Sequence, residues 1–100
     1  MRIVITQALR LYMKEKKRAA VVLDVASSST GDVEIAEPFC RLARESEIPY
    51  LTEKRHFHRM EAEGGAVLLP NYRLRYADTV VFDLKKRLFF HSVVYTGVEI

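Results

Sequence analysis

One hundred residues, 49% of them hydrophobic, suit a single domain whose two-layer core buries roughly 60–70% of the extended chain's surface, and they exclude a disordered chain. A net charge of +3 permits an anionic partner without demanding one. The lone cysteine, Cys40, excludes an intrachain disulfide, and no apolar run approaches the ~20 residues of a membrane span; the expectation is a cytoplasmic protein with no membrane partner.

Arg2 to Ile5 is a short β-prone run, and Met1 to Gln7 does not read as a signal peptide. Thr6 is a good N-cap, because its hydroxyl accepts from the free amides of the next turn. Gln7 to Lys17 contains neither Gly nor Pro, with Leu9, Tyr12 and Met13 at i, i+3, i+4 spacing, which predicts a helix. Lys14, Lys16, Lys17 and Arg18 crowd its end, where cations suit the negative pole of the helix dipole.

Ala20 to Val25 is apolar on both faces except at Asp24 and reads as a largely buried strand. Ser27 to Asp32 follows as a small polar loop, the kind of strand tip that commonly presents a site. With one glycine, no following lysine, and Asp32 and Glu34 nearby, it is a poor phosphate cradle. Pro38 argues against a helix interior and a central strand alike. Phe39, Leu42 and Ala43 then either start a helix or belong to an extended edge. Arg44 to Pro49 is polar and breaks the pattern.

Alternation resumes at Arg55. His56, His58, Met60 and Ala62 point one way, and Gly64-Gly65 suits a tight turn before the strand Ala66 to Leu69. Tyr72 to Ala77 reads as an amphipathic connector. Thr79 to Leu84 is a strand, Lys85-Lys86-Arg87 a charged turn, and Leu88 to Tyr95 the last strand. One early helix followed by consecutive hairpins predicts an α+β domain with mainly antiparallel sheets.

Three sets of side chains could carry chemistry. His56 and His58, on one strand face, form an H-x-H pair able to chelate an ion, which Cys40 and His91 join only if the fold brings them near. Cys40 is either a small core residue or a thiolate favoured by Arg41 and Arg44. Tyr72-Arg73-Leu74-Arg75-Tyr76 interleaves rings with guanidinium groups, the ingredients of a nucleic-acid contact, although Arg and Tyr ordinarily cover core edges. No acid/base pair, triad or cofactor fingerprint points to an enzyme.

The order of elements resembles the HesB-like domain of the A-type iron–sulfur carriers. The resemblance begins at Ile3-Val4-Ile5-Thr6 and runs through Ala20 to Val25 into the loop where that family places a cysteine. Glu37-Pro38-Phe39-Cys40-Arg41-Leu42 is similar to a segment of the branch with adjacent cysteines, or selenocysteine, in that loop. Gly64 to Leu69, Tyr76 to Asp83 and Phe89 to His91 follow the family's terminal hairpins in order. The resemblance implies an iron–sulfur cluster site with Ser28 and Ser29 about where the cysteine pair belongs, and the carriers' C-terminal cysteine pair has no counterpart. Hydroxyl oxygen is a poor ligand for a soft cluster. The expectation is therefore a non-enzymatic relative that keeps the scaffold without the loop thiolates and works through a protein partner or self-association. Metal or cluster binding through Cys40 and the histidines, and nucleic-acid binding through Tyr72, Arg73, Arg75 and Tyr76, are the alternatives.

Overall fold

The computed structural model describes residues 1–100. In chain order it comprises β1 (Arg2–Ile5), α1 (Gln7–Glu15), β2 (Ala20–Thr30), β3 (Val33–Ala43), a 3-10 turn (Glu45–Glu47), α2 (Ile48–Glu53), β4 (His58–Ala62), β5 (Gly65–Leu69), β6 (Arg75–Lys86) and β7 (His91–Glu99). The class is α+β, in two sheets: β1-β6-β7 and β3-β2-β5-β4. Both sheets are mixed: β1 pairs β6 in parallel and β2 pairs β5 in parallel, while β2–β3, β4–β5 and β6–β7 pair antiparallel and make up most of the ladder. The two parallel pairings join segments distant in sequence, so hairpin signals alone do not reveal them.

Alternation along β2 divides the core. Val21 and Leu23 face a cluster with Ile3, Ile5, Leu9, Met13, Val67, Val80 and Phe82 between the sheets. Ala20 and Val22 face a second cluster with Ile48, Leu51, Phe57 and Leu68 on the other side. This is why Ala20 to Leu23 is apolar on both faces and fully buried. Thr6 caps α1 as expected: its hydroxyl accepts from the Leu9 amide and donates to Asp83 Oδ1 at 2.6 Å, tying the helix to β6. The sheets also meet where the Glu63 backbone exchanges hydrogen bonds with Ile3 and Ile5.

Several local expectations need correction. Ser27 to Thr30 is no loop: β2 continues through it, and Ser28 and Ser29 pair with Ile35 and Glu34 in a hairpin closed by Gly31-Asp32. Gly31 takes the positive φ (+62°) of the turn, while β-branched Val33 and Ile35 supply the returning strand. Pro38 lies in β3, the edge of its sheet, where its missing N–H is tolerated; of the two readings of this segment, the extended edge is observed. The polar stretch after Arg44 conceals a second helix, α2, with Pro49 in its first turn. The β4–β5 turn is Glu63-Gly64, one residue earlier than expected, since Ala62 already pairs with Gly65. The connector ends early as well, because β6 starts at Arg75. Residues 87–90 form the last turn, and β7 begins at His91.

Candidate functional site

A cleft of about 420 Å3 opens where the end of α1, the edge strand β3 and the start of β7 converge. Its position follows from how α1 stops. Lys17 adopts a φ of +56°, and the Arg18 amide returns to the Met13 carbonyl at 2.8 Å. This sharp reversal leaves Lys16 and Arg18, on either side of it, in the cleft lining. Arg18 Nη1 donates to the Lys16 carbonyl at 2.7 Å, which fixes its guanidinium locally.

The opposite wall comes from β3. Cys40 and Leu42 turn towards the intersheet core, and Arg41, between them on the edge strand, is also part of the cleft lining. Arg41 Nη1 also donates to Glu47 Oε2 at 3.0 Å. Glu47 in turn accepts from the Arg44 amide, and the two contacts hold its carboxyl below the usual range, the backbone bond contributing most. Leu84 and Val93 supply apolar lining, with Ser92 beside Val93 on β7. The Tyr12 and His91 rings lie 4.9 Å apart at the rim, and Lys16 Nζ sits 5.8 Å from the Tyr12 centroid.

The charge of this cleft is one-sided. Lys16, Arg18 and Arg41 line it, and no carboxylate does. Lys16 and Arg18 have no salt-bridge partner, whereas Arg41 has Glu47 alone. The volume lies in the range of small-molecule sites, and the lining combines apolar side chains with cationic residues and no carboxylate.

Cys40 is a half-buried thiol. Desolvation pushes its pKa up to about 12, so at neutral pH it is neutral and a weak nucleophile. Arg41 lies next to it yet does not produce the thiolate that cationic neighbours suggest, because burial dominates. The hydroxyl of Tyr95 bypasses the sulfur and donates to the Pro38 carbonyl at 3.1 Å.

The other sequence-derived residues fall elsewhere. Ser28 and Ser29 are exposed on the outer arm of the β2–β3 hairpin. His56 precedes β4 with a φ of +59°, so it does not share a strand face with His58. No three His, Cys, Asp or Glu side chains gather as a metal-holding group. Exposed hydroxyls and a single thiol do not fit an iron–sulfur cluster, which needs several convergent thiolates.

Tyr72, Arg73 and Tyr76 do meet, together with His58, Met60, Leu69, Pro70 and Asn71, around a groove of about 540 Å3. Arg75 lines a different hollow, where it pairs with Glu99 at 3.5 Å. The cationic cleft itself escaped the sequence reading. Lys16 and Arg18 were legible only as helix-end charges, and nothing local linked them to Arg41 or His91.

No protein-family model, curated protein or solved structure matches this chain.

Proposed function

We propose that this chain is a non-enzymatic binding module whose cleft between α1, β3 and β7 takes a compact anionic group of the phosphate type. The observation that carries the reading is a set of three cations, Lys16, Arg18 and Arg41, around a partly apolar cleft with no lining carboxylate. Lys16 supplies a mobile point charge, while Arg41 and Arg18 offer planar donor pairs suited to phosphate oxygens. A binding role is favoured over catalysis because the thiol in the cleft is held neutral.

Titration calorimetry with inorganic pyrophosphate tests this reading. Saturable binding is expected, weakened at least about tenfold by Lys16→Gln and again by Arg41→Gln, as loss of a charge-assisted hydrogen bond dictates. Absence of binding at low salt, or wild-type affinity in both variants, rejects it.

Kinship with HesB-like domains stands as a proposal about the scaffold, supported by the order of strand, capped helix, strand and hairpins. Cluster carriage by Ser28, Ser29 or Cys40 is not part of it.

The groove formed by Tyr72, Arg73 and Tyr76 favours a second reading, stacking of a base from single-stranded nucleic acid. Binding of an oligonucleotide that falls steeply with salt and needs Tyr72 and Arg73 would support it. Arg75 is not part of that groove, since it lines a different hollow.

A further inference from the structure

The apex of the β6–β7 hairpin is the most exposed apolar feature of the molecule. Leu88 is 89% exposed, Phe89 91% and Phe90 60%. A contiguous trio of large apolar side chains in water marks an interaction site. Lys85, Lys86 and Arg87 lead directly into it, none paired with a carboxylate. Between Asp83 and Glu99 the chain carries no acidic residue at all. The apex is tightly closed: Lys86 pairs with His91, and the Arg87 amide donates to the Phe90 carbonyl at 2.7 Å. His91, adjacent to Phe90, lines the cationic cleft. Beside it, Lys86, Lys16 and the exposed Leu11 border a second hollow together with Glu15 and His91.

We propose that this hairpin docks the domain on an anionic phospholipid surface. Leu88, Phe89 and Phe90 enter the boundary between headgroups and acyl chains, Lys85, Lys86 and Arg87 face the headgroups, and the cleft behind His91 takes a headgroup phosphate. Charge complementarity selects this occupant. An apolar tip led into by three consecutive cations suits an interface that is apolar inside and negative at its surface. Such docking needs no membrane-crossing helix, and none of the helices here is long and apolar enough to cross. It departs from the expectation of no membrane partner, which considered spans alone. The headgroup part of the inference rests on the anion-binding reading of the cleft; insertion of the tip does not.

The experiment is co-sedimentation of the intact protein with vesicles of equimolar phosphatidylcholine and phosphatidylserine, against pure phosphatidylcholine, alongside pyrophosphate titration in solution. The chain has no tryptophan, so Phe89→Trp provides a fluorescent reporter confined to the tip. The proposal expects binding to the anionic vesicles alone, and on them a blue shift in the indole emission of the Phe89→Trp variant. It also expects a loss of at least about tenfold in Phe89→Ser/Phe90→Ser, with pyrophosphate affinity unchanged. These side chains are exposed, so the double variant leaves the core intact.

Pyrophosphate binding without vesicle binding overturns the docking proposal and leaves the cleft to a soluble ligand. Vesicle binding that depends on Phe89 and Phe90, without pyrophosphate binding, keeps tip insertion and rejects the cleft as the headgroup site. Self-association abolished by Phe89→Ser, with no vesicle binding, assigns the tip to a second copy of the chain and overturns the proposal.

Discussion

Tyr12 of α1 and His91 of β7 hold their rings 4.9 Å apart at a tilt of 36°, joining the end of the helix to the start of the last strand at the rim of the cationic cleft. The contact matters because the cleft has no continuous stretch of chain to define it. Helix end, edge strand and hairpin each supply part, and their relative positions depend on the packing of α1 and the two sheets.

The anchor of α1 is accordingly a sensitive point. Thr6 both caps the helix and donates to Asp83 on β6. Thr6→Ala is expected to destabilise the domain by about 1–2 kcal/mol, within the range for losing a capping side chain. Thr6→Ser should recover most of that. Urea unfolding of the three proteins checks it; equal midpoints for wild type and Thr6→Ala contradict the anchoring role.

Two glycines with positive φ should respond differently to the same substitution. At Gly97 (φ +88°) an added Cβ would lie 2.5 Å from the Thr79 carbonyl oxygen, whereas at Gly31 (φ +62°) nothing lies within 4 Å. Gly31→Ala should cost about 1 kcal/mol from backbone strain alone. Gly97→Ala should cost clearly more, because β6 must also shift. Thermal melts rank the pair, and the reverse order contradicts the packing described for β6 and β7.

Cys40 links stability to alkaline pH. Its folded pKa of about 12 lies above the ~8.5 of an unfolded thiol. A raised folded value means that the full contribution is present below pH ~8.5 and is lost as pH rises above it. Relative to Cys40→Ala, the wild type should lose stability with a slope approaching about 1.4 kcal/mol per pH unit, the limit for one proton. Parallel stability curves for the two proteins between roughly pH 8 and 10 would show that the thiol is not desolvated.

Glu47 works in the opposite direction. Its carboxyl is held low by the Arg44 amide and by Arg41, so its contribution is present above the unfolded value of ~4.3 and disappears as pH falls through the lower folded one. The group is partly exposed, which limits the effect to less than about 1 kcal/mol. Glu47→Gln should flatten that portion of the acid transition. It should also free Arg41 and strengthen pyrophosphate binding, a result readable by calorimetry.

Much of the fold could be read locally. The Thr6 cap, the Leu9/Met13 face of α1 and the doubly buried run of β2 follow from residues near one another in sequence. Where the reading failed, tertiary context decided. Ser27 to Thr30 carries no apolar face because that arm of the hairpin covers no core, so a strand looked like a loop. Pro49 looked like a breaker, although it opens α2. The two parallel pairings and the meeting of Lys16, Arg18, Arg41 and His91 are contacts between distant segments. Composition gives no hint of them. The nearest available signal was the run Lys85 to Phe90, three cations ahead of three apolar residues, which reads as a turn leading into a strand until its exposure is known.

Chemical-shift mapping during a pyrophosphate titration tests the central claim most directly, since it reports where an anion sits without requiring a variant to fold. The largest perturbations are predicted at Lys16, Arg18, Arg41, His91 and Ser92. Perturbations centred on Tyr72 and Arg73, or none at saturating pyrophosphate, would contradict it.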